Sequence, residues 1–367
     1  MWIRSFLTNR KQTVDGVPSL PAPVKSGVPQ GSVSGPILFL VLIGDIDQNV
    51  SSPSFVSSFA DDTRVGRPVF SAIDCAALQF DLDTIYGWAD LNNMMFNTDK
   101  FELLRYGQNQ FLKDYIYVTQ NGLPIQQKSV VRDLGVMMSD TGQFSDHINK
   151  VVLTASRMCA WILRTFEARD KVTMITLFKA LVLPHLDYCS QLWSPAKISD
   201  IQKLENVQRS FIRKIDGSAG MDYWDRLKTY RLYSLERRRE RYSIIYVWKM
   251  IEGLVPNIGI IHHDAGRRGR CCDIPPMMKS APCWLKNLWE NSFRVRGPML
   301  FNCIPSCIRS MTGCDVQNFK HALDDWLKFI PDEPLVAGYQ ARRQATTNSI
   351  RHMVAVEAAG DGHFGGF

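Results

Sequence analysis

Residues 57–63 read Ser57-Ser58-Phe59-Ala60-Asp61-Asp62-Thr63 and place two carboxylates side by side. Residues that favour β-structure come before the acidic pair, at 55–59, and after it, at 63–65. This pattern predicts a strand, a tight turn and a second strand, with the acids at the turn. Because side chains alternate between the two faces of a strand, only one of two adjacent carboxylates can point cleanly into a site.

The acidic pair suits two different roles. Mg²⁺ prefers oxygen ligands and usually takes one or two carboxylates together with substrate phosphates. Two such ions can stabilise the attacking and leaving oxygens of a phosphoryl displacement. A pair of aspartates can also be a simple polar turn between strands, and the dipeptide alone favours that interpretation.

A glycine-rich loop and an apolar segment precede the acidic pair. Glycines at positions 27, 31 and 35 allow the backbone to approach a ligand closely. Pro36 suits the first turn of a helix, and residues 37–43 are apolar. An ordinary loop before a buried helix has the same features, so the segment alone does not indicate a site.

The loop Val28-Pro29-Gln30-Gly31, the apolar segment and the stretch Phe59-Ala60-Asp61-Asp62 together resemble the reverse transcriptase family. The resemblance is strongest to the non-LTR, LINE-type, jockey-like branch, and later segments share it: Leu177 to Pro195, Leu235 to Tyr242 and Ser292 to Pro298. It implies an α+β fold in which a partial polymerase palm, an antiparallel sheet with helices, precedes an α-helical thumb and a C-terminal extension. We expect the palm at residues 1–142, the thumb at 143–260, the extension at 261–357 and a disordered tail at 358–367.

The implied reaction is RNA-templated attack of a DNA primer 3′-hydroxyl on a deoxynucleoside triphosphate, with two Mg²⁺ ions. By resemblance, Asp61 is the direct metal ligand and Asp62 a supporting carboxylate. Lys100 lies near the triphosphate, where it could protonate or neutralise the leaving pyrophosphate. An exposed lysine at the start of a strand over 101–106 explains that residue equally well. Gln30, Gly31 and Phe59 border the nucleotide.

A second hairpin falls where the family grips its primer. Leu134 and Gly135 lie between two β-favouring runs, and by resemblance they contact nucleic acid at the junction of palm and thumb. A plain structural hairpin accounts for the same pattern. The Asn121-Gly122 dipeptide predicts another tight turn shortly before it.

The resemblance starts inside the polymerase, because the family's upstream strand with a further metal-binding aspartate is not among these residues. We therefore expect the chain alone to be inactive. The alternative function is a non-catalytic nucleic-acid-binding remnant of a truncated mobile element.

Positive charge is concentrated in the middle of the chain. Residues 151–260 hold 18 Lys and Arg against 11 Asp and Glu, whereas residues 1–150 hold 12 against 15. Arginine binds phosphate in a bidentate manner, and phosphate contacts supply most non-specific affinity for nucleic acid. We expect the following side chains to hold the template–primer backbone: Arg209, Arg213, Arg237, Arg238 and Arg241. A solvated helical face, with ion pairs to Glu236 and Glu240, is the alternative.

Periodic apolar positions predict the helices. They indicate an amphipathic helix over 73–92, then helices starting near Ser145, Lys171, Ser199 and Ser234, and a last one over 316–329. Pro184 is expected to kink or divide the helix that begins at Lys171. Residues 262–290 show little periodicity and are expected to form a long surface linker.

Other classes of protein fit the composition poorly. Nine cysteines, an odd number without a Cys-x₂-Cys pair, argue against a secreted disulfide framework and against a zinc site. The start is too short for a signal sequence, and no run of about 18 apolar residues indicates a membrane span. We expect an intracellular protein, nuclear if it acts like its family, with RNA, DNA and nucleotide partners.

Overall fold

A computed structural model describes residues 4, 13–18, 28, 31–107, 110–264, 266, 269–277, 279–336 and 347–360. The chain divides into two compact units, residues 1–131 and 132–367. The described elements are helical with short strand pairs, which fits the expected α+β class.

The first unit contains short strands around one long helix. Its elements are β1 (Thr13–Val14), β2 (Val17–Pro18), α1 (Gly35–Ile43), β3 (Phe55–Phe59), β4 (Asp62–Gly66), α2 (Ala72–Leu91), a 3₁₀ turn (Thr98–Lys100), β5 (Glu102–Leu103), α3 (Gln110–Lys113) and β6 (Gln126–Gln127). β1–β2 and β3–β4 are antiparallel, whereas β5 pairs with β6 in parallel. The strand expected over 101–106 is thus limited to two residues.

Helix α2 begins where its sequence provides a complete cap. The Ser71 hydroxyl accepts a hydrogen bond from the Asp74 backbone N–H, and the Asp74 carboxylate accepts one from the Ser71 backbone N–H. This reciprocal pair satisfies two amide groups that would otherwise lack partners. The helix predicted over 73–92 is therefore confirmed, one residue earlier at each end.

The second unit begins with the hairpin of β7 (Val130–Asp133) and β8 (Val136–Ser139), which straddles the division. Its helices are α4 (Ser145–Thr165), α5 (Lys171–Leu177), a π-helical turn (Phe178–Val182), α6 (Leu183–Asp187), α7 (Ser190–Trp193), α8 (Ile198–Ile212), α9 (Tyr223–Tyr230) and α10 (Leu235–Ile251). Beyond them lie β9 (His262–Asp264), β10 (Arg270–Cys272), α11 (Cys283–Asn291), α12 (Phe293–Cys303), α13 (Ser306–Arg309), α14 (Val316–Leu327) and α15 (Ile350–Gly360).

Two apolar cores lie within the second unit, and α10 belongs to both. Leu235, at its start, packs with the residues of α4 to α9, whereas Trp248 packs with those of α12 to α15. The Trp248 ring stacks on Phe319 at a centroid distance of 4.5 Å. Because the two cores pack around different parts of α10, most of its side chains face protein rather than solvent.

Two expectations for this unit have different outcomes. Pro184 does divide the predicted helix, which becomes α5, the π-helical turn and α6. The expected linker over 262–290 was wrong, because the antiparallel pair β9–β10 and helix α11 occupy much of it. The pairing holds polar residues, and Cys271 lies opposite His263, so periodicity of apolar residues gave no signal.

Of the expected disordered tail, residues 358–360 complete α15 and 361–367 lie outside the described residues.

Candidate active site

The acidic pair lies at the tip of the β3–β4 hairpin. Phe59 pairs with Asp62, so Ala60 and Asp61 form a two-residue turn. Ala60 takes the left-handed conformation, with φ of +53°, which a tight turn of this length demands of at least one residue. The predicted order of strand, turn and strand is confirmed, and both carboxylates are exposed.

The two faces of this hairpin differ in exposure. Val56 and Val65 lie opposite each other and are half-buried, so one face is turned towards the protein. Asp62 and Phe59 form a cross-strand pair on the other face, where Phe59 is 66% exposed. An aromatic surface and a carboxylate therefore lie side by side and open to solvent.

A buried aspartate on α2 holds both ends of the hairpin. The Asp81 carboxylate accepts hydrogen bonds from the Ser51 backbone N–H (2.9 Å) and from the Ser54 hydroxyl (2.5 Å), just before β3. Arg67, just after β4, also donates to it at 3.4 Å and to the Ser54 hydroxyl at 2.9 Å. Asp81 is fully buried, and these contacts fix the hairpin's base against α2.

The ionised form of Asp81 is favoured. Burial alone would raise its pKa, but the hydrogen bonds from Ser54 and Ser51 and the charge of Arg67 together hold the pKa below its usual value. Sequence analysis missed this residue. Its signal was an aspartate within the apolar stripe of α2, where a charge needs partners.

The glycine-rich loop precedes α1, and there is free space around the backbone of Gly31. Gly31 has a φ of +79°, and a side chain there would meet nothing within 4 Å. The Ser32 hydroxyl accepts a 3.0 Å hydrogen bond from the Gly35 N–H at the start of α1. Gln30 lies outside the described residues. The helix itself is not buried, because Ile37, Leu40 and Val41 are each at least 60% exposed.

Lys100 ends the 3₁₀ turn before β5 and is exposed. Among the described contacts, no ion pair joins its side chain to Asp61 or Asp62. The Asn97 side chain, which accepts a hydrogen bond from the Asp99 N–H, starts this turn.

The residues that contain this hairpin match a known protein family. A model of the family described as reverse transcriptase (RNA-dependent DNA polymerase) matches residues 1–138, which contain β3, β4 and both acids. Residues 1–138 are therefore similar to the reverse transcriptase family.

The relatives are polymerases of mobile elements. The chain is 26% identical over 230 residues to the RNA-directed DNA polymerase from mobile element jockey of Drosophila melanogaster, and 29% identical over 231 residues to that of Drosophila funebris. It is 25% identical over 224 residues to a probable RNA-directed DNA polymerase from transposon X-element of Drosophila melanogaster. Each alignment covers 59% of this chain but only about a quarter of the relative. The predicted resemblance to LINE-type reverse transcriptases is confirmed. No solved structure matches the chain.

The reverse transcriptase family is generally dependent on a divalent metal ion. Asp61 and Asp62 offer the hard oxygen donors that Mg²⁺ prefers. Across the described ranges, no group of three or more His, Cys, Asp or Glu side chains is arranged to hold a metal ion. Two carboxylates nevertheless suffice for an ion that takes its other ligands from water and substrate phosphates. The nine cysteines are free thiols. No helix in the described part of the chain is long and apolar enough to cross a membrane.

The predicted primer-gripping residues form the turn between β7 and β8. Leu134 and Gly135 both have positive φ, +42° and +88°. The Tyr188 hydroxyl donates a 2.8 Å hydrogen bond to the Leu134 carbonyl, so this turn is tied to the helical region that comes after it. Gly135 cannot gain a side chain without strain, since its φ is rarely adopted by other residues.

The arginines of α10 are structural in this fold. Arg237 is fully buried, and its guanidinium donates to the carbonyls of Pro331 (2.7 Å) and Asn348 (3.3 Å). A phosphate cannot reach it without unfolding, so the expected backbone contact by Arg237 is corrected. The alternative of a solvated face fails for the same reason.

Arg238 and Arg241 are held by carboxylates of the same unit. Arg238 pairs with Asp187, and Arg241 donates to Asp324 through its Nη2 at 2.6 Å. Arg209 is half-buried, whereas Arg213 is exposed at the end of α8. Of the predicted arginines, Arg213 is therefore the best placed to meet a phosphate from solvent.

Proposed function

We propose that the chain is part of an RNA-directed DNA polymerase of a LINE-type mobile element, with the β3–β4 hairpin as the metal-binding part of its active site. The hairpin carries the proposal, because it presents two exposed carboxylates within the residues that match the reverse transcriptase family. The proposed substrates are an RNA template, a DNA primer and deoxynucleoside triphosphates, and action on chromosomal DNA would take place in the nucleus.

Asp61 and Asp62 would supply part of the ligands of two Mg²⁺ ions, together with substrate phosphates and the further aspartate of the family's upstream strand. When bound, such ions supply the positive charge that stabilises the attacking and leaving oxygens. Asp61, in the turn, is the proposed direct ligand, and Asp62 the supporting one. Asp81 would hold the base of the hairpin in place through its hydrogen bonds with Ser51, Ser54 and Arg67.

Other residues would position the substrates. Gln30 and Gly31 would border the nucleotide, and the exposed ring of Phe59 would pack against it. Lys100 would neutralise charge on the leaving pyrophosphate, since an exposed ammonium group can reach a phosphate without first breaking an ion pair. Leu134 and Gly135 would contact the primer backbone, with the palm over 1–142, the thumb over 143–260 and the extension over 261–357.

The test is primer extension on an RNA template. This chain would replace the matching segment of a jockey polymerase, so that the site is assayed within a full-length protein. Asp61→Ala should reduce synthesis by at least about 1000-fold, as expected when a main electrostatic contribution is removed. Asp47→Ala, which removes another exposed carboxylate of the same unit, is the matched control and should be active.

The outcome separates two functions. Undiminished synthesis by the Asp61→Ala chimaera would refute the site. If no chimaera extends a primer while the chain still binds RNA–DNA hybrid, the alternative of a non-catalytic nucleic-acid-binding protein is favoured. The net charge of +7 on residues 151–260 supports binding in either case.

A further inference from the structure

A cavity of about 320 Å³ lies in the second unit beside the β7–β8 turn. This volume is within the range of small-molecule sites. The cavity is lined by Gly135 from the turn, by four residues of α4 and by the end of the α6 region: His147, Lys150, Val151, Thr154, Pro184, His185 and Tyr188. None of the lining residues is acidic, so the cavity suits a ligand that carries negative charge.

His147 is a buried residue of this cavity, and one of its ring nitrogens has no hydrogen-bond partner among the described residues. Its side chain is only 3% exposed, and its Nδ1 accepts a 3.3 Å hydrogen bond from the Met137 N–H. The neutral ring must then carry its proton on Nε2. Nε2 is buried and has no hydrogen-bond partner among the described residues. A buried polar group of this kind normally has a partner, which a water molecule or a ligand in the cavity can supply.

The protonation state of His147 agrees with a donor role at Nε2. Burial, and secondarily the positive charge of Lys150, lowers the pKa of His147 to about 4. The ring is therefore neutral at pH 7. The edge-to-face contact with Trp193, at 5.0 Å between centroids, fixes the plane of the imidazole.

The mouth of the cavity combines an aromatic face with positive charge. The Tyr188 ring is 53% exposed although its hydroxyl is anchored on the Leu134 carbonyl, so the ring is held in place with a free face. Lys150 and His185 are exposed beside it. Val151 and Pro184 supply apolar wall, which suits the faces of a planar ring better than a bare phosphate.

We propose that this cavity binds one unpaired nucleotide of a nucleic-acid strand, with the base against Tyr188 and an acceptor on its edge facing His147 Nε2. The phosphate would lie at Lys150 and His185. This proposal rests on the proposed nucleic-acid function and adds a specific subsite to it. Stacking of bases on aromatic side chains tolerates any sequence, and base edges carry ring-nitrogen or carbonyl acceptors.

Histidine-selective NMR of the full chain tests the cavity directly. Titration with adenosine 5′-monophosphate should move the His147 ring signals and saturate in the millimolar range, on the order of 1 mM. Inorganic phosphate alone should leave His147 unchanged. Thr154→Trp, which fills the cavity from the half-buried position on α4, should abolish the His147 shift. Leu153→Trp adds the same side chain at an exposed neighbouring position outside the cavity and should bind like the unchanged chain.

A ten-nucleotide single-stranded oligoadenylate separates this subsite from the proposed function. Thr154→Trp should weaken its binding about 5-fold or more, the loss of one stacked base. Lys150→Ala should weaken it as well, whereas Arg164→Ala, on the same helix about 21 Å away, should weaken it less.

If the oligonucleotide binds but the nucleotide never affects the His147 signals, or if Thr154→Trp changes the binding of neither ligand, the subsite is refuted and the wider function stands. If phosphate alone moves His147 as far as the nucleotide does, the base assignment is refuted. A saturating nucleotide shift without oligonucleotide binding would support the subsite and contradict the wider function.

Discussion

Arg238 lies against Asp187, with its Nε 3.0 Å from Oδ1 and 2.8 Å from Oδ2. The pair joins the first turns of α10 to the end of α6, and the Arg238 guanidinium also lies 5.0 Å from the centre of the Tyr242 ring. Burial raises the pKa of Asp187, and the neighbouring Arg238 opposes that rise. The arginine therefore compensates for a carboxylate that the protein has partly removed from water.

Asp187→Ala should lower the free energy of unfolding by about 1.5 kcal/mol, the lower end of the range for a hydrogen bond to a charged group, because both side chains keep some exposure. Chemical denaturation of the two proteins measures the change. Asp325→Ala removes the exposed pair with Lys328 and should cost less than about 0.5 kcal/mol. Equal losses for the two variants would contradict the assigned role of Asp187.

Arg237→Glu should prevent folding of the second unit. The substitution places a carboxylate next to the carbonyls of Pro331 and Asn348, which repel it, and removes the donor that these carbonyls use. We expect a loss of more than about 3 kcal/mol, read by circular dichroism and thermal denaturation. A native-like melting temperature for this variant would show that the side chain is not confined as described.

Arg213→Glu with Lys214→Glu is the exposed counterpart, and the fold should be unchanged. Affinity for an RNA–DNA hybrid should fall, and the slope of log affinity against log salt should flatten by about 0.7–0.9 for each phosphate that the variant no longer binds. Fluorescence anisotropy at several salt concentrations measures both. An unchanged slope would place the phosphate-binding side chains elsewhere on the chain.

Asp81→Ala should loosen the acidic hairpin without touching Asp61 or Asp62. Removing the acceptor leaves Ser51, Ser54 and Arg67 without their shared partner, at a cost of about 2–3 kcal/mol. Hydrogen exchange of the β3 and β4 amides should accelerate, and synthesis by the chimaeric polymerase should fall. Because the folded pKa of Asp81 is depressed, its contribution to stability is present above the unfolded value of 3.8 and is lost as the pH falls through the folded pKa. If the β3 and β4 amides exchange as slowly in the variant as in the unchanged chain, Asp81 does not anchor the hairpin.

The pKa of Glu205 is raised in the folded state, whereas that of Asp81 is lowered, so the two residues give opposite pH dependences of stability. Burial, the largest cause, raises its pKa to about 7, although it accepts hydrogen bonds from the Tyr223 hydroxyl and the Leu235 N–H. The folded state then binds a proton more tightly than the unfolded state, so stability should fall as the pH rises from 4.5 to about 7. Glu205→Gln keeps one acceptor oxygen and should flatten this part of the profile. Urea denaturation across the pH range measures it, and a slope that persists in the variant would assign the titration to another group.

The sequence predicted the hairpin that carries Asp61 and Asp62. This hairpin depends on the alternation of side chains along each strand and on a two-residue turn, and both are determined by residues that are adjacent in the sequence. Asp81 could not be assigned a role in the same way, because its partners lie about 14 to 30 positions away and meet only in the fold. The arginines of α10 misled for a physical reason. A run of charge usually indicates a solvated face, but here two cores cover the helix from opposite ends and the guanidinium groups are used within the protein.

The π-helical turn at Phe178–Val182 takes up one extra residue without changing the direction of α6. The Leu183 N–H bonds to the Phe178 carbonyl, five residues back, so this turn holds one residue more than an α-helical turn. Deleting a single residue here would leave an ordinary helical turn, and the segment after it would keep its orientation. Deleting a residue from a regular turn of α5 would instead rotate that segment by about 100°. His185 and Tyr188 should therefore keep their directions in relatives that lack one residue of the π-helical turn, and change them in relatives that lack one residue of α5.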